Sequence, residues 1–383
     1  MIYLDNASTT KCNEQSAEII KNALVEGFYN PSAKYGEALK INKMLDDCRN
    51  SIVKLVGGNE QYSVVFTGSA TEANNLILNS SLNKHKQNLI GGGEHASVYE
   101  TAKHLKSVGY DIEEIPLNEN GEPDVVKFKD LMKPTTAFIS VMLVSNETGA
   151  ITNIKEISRI ARMVNPKVLI HVDAVQAFGK IRINMQEFGI DYLTLSSHKV
   201  EGPKGVGCLV FKKQVKLEPH IFGGGQENGK RSGTENLPSI LGFVNSAQIL
   251  CDNLTDNYNK MYQFKRELVR SIKEKADKIG LEFIINGNIE TASPYILSCG
   301  FLGTKGEVLL HSLEAKGILV GTGSACNSKH SGNRILSAMG KSNAQVECNI
   351  RLSFAPETIN NKIDDISTVV VDCAKMHNNT SKR

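Results

Sequence analysis

From about residue 15 to 250 the chain alternates short apolar runs with stretches of helical periodicity, and this alternation limits its possible folds more than any other feature. The apolar runs lie at 62–67, 88–91, 111–115, 137–144, 168–173, 192–196 and 207–211. They are rich in Val, Ile, Leu and Phe, as strands buried on both faces must be. Helical stretches at 37–56, 72–83, 98–108 and 154–164 separate them. Parallel strands need such crossovers to pair, so the pattern predicts an α/β fold with a mostly parallel seven-stranded sheet sandwiched by helices. Ligands of these sheets bind beyond the carboxyl ends of the strands.

At 383 residues the chain exceeds the size at which one core stops growing, so two domains are expected. The large one spans 15–250. From 251 the texture changes to a long helical segment (253–279), strand-like 281–285 and 295–300, helical 305–316, then short strands at 318–320 and 350–353. This reads as a smaller α+β domain made of 251–383 joined by 1–14. A net charge of +3 is too small in this length to call for nucleic acid or a membrane surface. No apolar run nears the roughly 20 residues of a membrane span. Residues 1–6 do not read as a signal peptide, and eight scattered cysteines form no CxxC pair. A cytoplasmic protein with free thiols and no metal site is expected.

Two strand ends carry the chemistry. The run 168–172 closes on Asp173, with Gln176 three residues on. The run 192–195 ends in Ser196, Ser197, His198 and Lys199, followed at once by a glycine-rich exit. An acid and a lysine at neighbouring strand ends suit pyridoxal 5'-phosphate (PLP): the lysine forms a Schiff base and the acid keeps the ring nitrogen protonated. Between strand and helix, Gly68, Ser69, Ala70 and Thr71 offer small residues and free amides for a phosphate, in concert with Ser196 and His198.

His95, after a glycine run at a strand end, is placed to lie flat on a planar cofactor and to move protons. Asn146 ends another strand and is a candidate to orient substrate or the ring hydroxyl of the cofactor. Arg351 begins the last strand and is a candidate clamp for a substrate carboxylate. Cys326 sits in a polar stretch followed by Lys329, His330 and Arg334, and nearby positive charge favours the reactive thiolate.

Ten segments then fall in family order: YLDNASTT (3–10), NPSAKYG (30–36), FTGSATEANN (66–75), GGEHASV (92–98), VSNETGAI (144–151), DAVQAFGK (173–180), SSHKVEGPKGVG (196–207), GGGQENGKRSGTEN (223–236), GTGSACNS (321–328) and IRLSF (350–354). With them the chain resembles the NifS/IscS-type cysteine desulfurases of the class V aminotransferase group, PLP enzymes of fold type I. The resemblance implies a homodimer in which Lys199 holds PLP, Asp173 meets the ring nitrogen, Gln176 bonds the ring hydroxyl and His95 stacks on the ring. Thr71, Ser196 and His198 would bind the phosphate, joined by Thr234 from the other subunit. Asn146 and Arg351 would hold the carboxylate of L-cysteine, and Cys326 would take its sulfur as a persulfide, releasing alanine. An iron–sulfur scaffold or a tRNA-thiolation enzyme would accept that sulfur. A selenocysteine lyase or a class V aminotransferase is the alternative on the same scaffold.

Overall fold

The computed structural model describes residues 1–323, 333–360 and 363–378. In chain order its strands are β1 (Ile2–Tyr3), β2 (Tyr62–Thr67), β3 (Asn88–Gly91), β4 (Ile112–Ile115), β5 (Phe138–Met142), β6 (Leu169–Asp173), β7 (Tyr192–Ser196), β8 (Gly207–Lys212), β9 (Phe283–Ile285), β10 (Ile296–Phe301), β11 (Ile318–Leu319) and β12 (Asn349–Ser353).

Seven of these form the central sheet, in the order β2-β8-β7-β6-β5-β3-β4. The pairings from β4 across to β7 are parallel. Only β8 runs the other way, antiparallel to both β2 and β7. Six strands therefore deliver their carboxyl ends to one rim, as the alternation implied. Strands β5 and β7 are buried at every position, which is why they read as unbroken apolar runs.

Helices Ala70–Ser81, Ala96–Ser107 and Ile154–Val164 are crossovers between sheet strands, and Gly36–Leu55 leads into β2. Two begin two residues earlier than apolar periodicity suggests. The Ser69 side chain accepts the Glu72 amide, and the His95 ring accepts the Ser97 amide. These caps satisfy amides that have no carbonyl one turn back, so each helix starts at a polar residue ahead of its apolar face.

Beyond the sheet, β12, β10 and β9 form an antiparallel trio, with helices Leu254–Asp277 and Ile363–His377 packed together nearby. The chain start joins this part: β1 pairs in parallel with β11, and Asp5 bridges Ser353. Among the described residues no helix is long and apolar enough to cross a membrane.

Candidate active site

A cavity of about 220 Å³ opens at the carboxyl rim of the sheet. Ala70 and Thr71 reach it from the start of the helix after β2, and His95 from the segment after β3. Asn146 enters from the turn after β5, and Asp173 and Gln176 from the end of β6. Ser196, His198 and Lys199 complete it from the end of β7. Residues spread over 130 positions of sequence thus converge because parallel strands end on one side.

Two residues in the wall decide its chemistry. The Lys199 amine donates to the carbonyl of Ala7 at 2.7 Å and to that of Ser8. Burial, then the Arg351 guanidinium, pushes its pKa down to about 8, while Asp5 and Asp173 pull the other way. An amine in that range is partly unprotonated near neutrality, as a nucleophile or base must be. Asp173 is almost fully buried and accepts the Asn74 amide at 2.9 Å and the Val175 N–H at 3.0 Å. Asn74 is wholly buried, and the same amide lies 2.9 Å from Ser97 Oγ. Sequence reasoning missed it, although an asparagine beside Ala73, Leu76 and Ile77 on an inward helix face is a signal of buried polar work.

His95 is held rather than free. Its Nδ1 accepts the Ser97 N–H at 3.1 Å, so in the neutral ring the proton sits on Nε2. Burial first, then Lys199, Lys204 and Lys180, lower His198 to about 4, which leaves a neutral imidazole; its Nδ1 lies 3.2 Å from Thr9 Oγ1.

The expected phosphate turn is built tightly. Gly68 donates its N–H to Glu72 at 2.8 Å, and Glu72 pairs with Arg231 at 2.7 Å. A Cβ on Gly207 would lie 2.7 Å from the Ser69 carbonyl carbon and 2.8 Å from the Ala70 nitrogen. Only glycine lets the start of β8 support the turn this closely. Thr234 does not reach the cavity of its own chain; it lines a separate one of about 160 Å³ with Gly68 and Arg231.

Arg351 stands just behind the wall, not on the surface. Its guanidinium donates to Asp5 at 2.9 Å, Ser8 at 2.8 Å and the Asn146 carbonyl at 2.9 Å, while Nε has no partner. Residues from the first eight positions thus hold the guanidinium in place beside Asn146, which lines the cavity. Glu147, another residue the sequence reading missed, is 1% exposed and takes the amides of Asn146 and Asn333, each at 2.9 Å. An acid inside a polar turn looks like a surface residue until the fold closes over it.

Arg334 is also engaged. It donates to the carbonyls of Gly92 at 2.6 Å and Glu94 at 2.5 Å, and its guanidinium lies 3.9 Å from the Tyr99 ring centroid. It pins the chain beyond residue 332 to the end of β3. Cys326 lies outside the described residues.

The donor set fits PLP. It presents an amine for a Schiff base, a buried carboxylate, a flat imidazole, and a helix start with hydroxyls for a phosphate.

Comparison with known proteins agrees. The class-V aminotransferase family model matches residues 2–367. Cysteine desulfurase IscS 1 of Archaeoglobus fulgidus is 33% identical over 375 residues, covering 97% of this chain and 96% of that protein. A solved NifS-like protein is 29% identical with a TM-score of 0.88, covering 98% of each chain. A solved SspA in complex with cysteine is 27% identical with a TM-score of 0.78, covering 93% of this chain and 99% of that one. With its sheet, its lysine–aspartate pair and a match over nearly its whole length, the chain belongs to the class-V aminotransferase family of PLP-dependent enzymes.

Proposed function

We infer that the chain is a cysteine desulfurase: it removes sulfur from L-cysteine, releases L-alanine and carries the sulfur as a persulfide on Cys326. The observation that carries this is the meeting of Lys199, Asp173 and Asn146 in one cavity, with Arg351 just behind it donating to the Asn146 carbonyl. That is a cofactor end and an amino-acid carboxylate end side by side. The names of the relatives, and the cysteine bound to a structural neighbour, support the choice of substrate.

PLP, when bound, withdraws electrons from the substrate Cα and so eases loss of its proton and then of its sulfur. Lys199 would anchor it and afterwards move the Cα proton, a task for which an amine near pH 8 is suited. Asp173, fixed by Asn74, would hold the proton on the ring nitrogen. His95, with its proton on Nε2, would lie against the ring and serve in proton transfer. Gln176 would donate to the ring hydroxyl, and Ala70, Thr71, Ser196 and His198 would hold the phosphate. Arg351 and Asn146 would grip the substrate carboxylate. The Cys326 thiolate would then attack the substrate sulfur; as the S–S bond forms the S–C bond breaks, its electron pair stays on Cβ, and uptake of a proton there gives the methyl group of alanine.

A homodimer accounts for Thr234, which would cross from the second copy to the phosphate. Leu24, Val25, Phe28, Leu39 and Phe222 are all more than 60% exposed and suit burial against that copy. We place the large PLP domain at 15–250 and the small domain at 1–14 with 251–383. The persulfide would pass to an iron–sulfur scaffold or a tRNA-thiolation enzyme in the cytoplasm. The test is alanine and persulfide formation from L-cysteine by the wild type and Cys326→Ser. Loss of both in the variant supports the assignment; wild-type alanine production by the variant overturns the role of Cys326. Pyruvate formed with a 2-oxo acid acceptor would mark an aminotransferase instead.

A further inference from the structure

Below the cavity floor sits an amine that the reaction does not use. Lys180 is 6% exposed, and its Nζ has one hydrogen-bond partner among the described residues, the Oε1 of Gln176 at 3.2 Å. No carboxylate pairs with it there. The charges acting on it are Lys199, Glu201 and Arg351, and burial is the main cause of a pKa lowered to about 7. Burying an unpaired amine costs stability, so its place in the fold calls for a task.

The hydrogen bonds define that task. Gln176 is 4% exposed and donates through Nε2 to the Ala7 carbonyl at 2.8 Å. That same carbonyl receives the Lys199 amine. With Oε1 taken by Lys180 and one Nε2 hydrogen by Ala7, the amide has a single free donor, and Gln176 lines the cavity. The reverse orientation would set Oε1 against the Ala7 oxygen and the NH2 group against the Lys180 amine, so both contacts would repel. The chain between the two residues turns rather than running on as a helix, with Gly179 at a φ of +67°, and this returns Lys180 to the underside of Gln176.

We propose that Lys180 is a positioning residue that locks the Gln176 amide in one orientation, so that a hydrogen-bond donor always faces the ring oxygen of PLP. The inference rests on the assignment of Gln176 to that oxygen. It extends the assignment to a residue that touches neither cofactor nor substrate.

A double-mutant cycle tests it, read as PLP affinity from titration of the apo protein and as the absorbance maximum of the bound cofactor. Gln176→Ala is expected to weaken PLP binding about tenfold, the upper range for one hydrogen bond, and to shift the absorbance maximum. Lys180→Met should weaken it by a similar factor, yet the double variant should bind no more weakly than Gln176→Ala alone. The melting temperature of apo Lys180→Met should not fall, because an apolar chain replaces an unpaired buried amine. If Lys180→Met does not accumulate as folded protein, Lys180→Gln enters the same cycle. Additive losses, or unchanged affinity and spectrum in the Lys180 variant, overturn the positioning role alone. An unaltered Gln176→Ala overturns the assignment of Gln176 and the inference with it.

Discussion

Replacing Gly207 with alanine tests how closely the sheet must support the phosphate turn. The new Cβ would lie 2.7 Å from the Ser69 carbonyl carbon, 2.8 Å from the Ala70 nitrogen and 2.9 Å from the Leu195 oxygen. Comfortable carbon contacts begin at about 3.5 Å, so the overlap is roughly 0.6–0.8 Å against each neighbour. All three obstacles are backbone, and Gly207 is itself paired to Thr67 on one side and Ser196 on the other. No side chain can swing aside; the turn or the strand must move. Overpacking of this kind costs about 1–3 kcal/mol. For a domain of this size that lowers the apo melting temperature by about 3–10 °C. Because the displaced atoms include the first amides of helix Ala70–Ser81, PLP affinity should fall by at least about tenfold as well. Gly36→Ala is the control: nothing lies within 4 Å of its Cβ position, and it opens helix Gly36–Leu55. It should be neutral or stabilising by up to about 1 kcal/mol. Differential scanning fluorimetry and PLP titration read both. If Gly207→Ala melts with the wild type and binds PLP equally well, the close approach is not what the turn requires.

Other outcomes follow from the site. PLP uptake by the apo protein should rise with pH through about 8, since Lys199 must lose its proton; stopped-flow absorbance measures it, and a midpoint above 10 would contradict the burial of the amine. Asn74→Ala removes the donor to Asp173 and should cost about 1–3 kcal/mol along with a marked loss of alanine production; unchanged turnover would show that Asp173 needs no such support. Burial, aided by Asp173, raises the Glu94 carboxyl to about 8, so its contribution to stability is complete below pH 4.5 and lost as pH rises through 8. Glu94→Gln should therefore flatten the decline in stability over that window, and a parallel pH profile would refute it. Arg351→Lys should raise KM for cysteine about tenfold or more by losing the fork geometry, with far less effect on PLP binding.

Much of the central sheet is legible in the sequence because strands buried on both faces leave no ambiguity: 62–67, 88–91 and 192–196 are expected and found at the same limits. Helix starts at Ala70 and Ala96 shift by two residues because a capping serine and histidine, not the apolar face, set them. The cavity residues were readable where strand ends advertise them, as at Asp173, Lys199 and His95. Asn74, Glu147 and Lys180 were not, because a polar side chain inside a helix or turn reads as surface until tertiary packing buries it. Arg351 was readable as a functional candidate, but its neighbours Asp5 and Ser8 lie some 345 positions away, a distance no local pattern spans.

That last contact has a consequence for how the protein is made. The carbonyls that receive Lys199 belong to residues 7 and 8, and the bridge between Asp5 and Ser353 ties this segment to β12. On the ribosome, residues 5–8 emerge some 345 positions ahead of their partner strand and must wait for it to appear. The central sheet can assemble meanwhile, yet the seat of Lys199 stays unfinished. Firm capture of the cofactor thus waits until β12 has been made, and any nascent fragment ending before residue 353 is kept from the chemistry by its own topology.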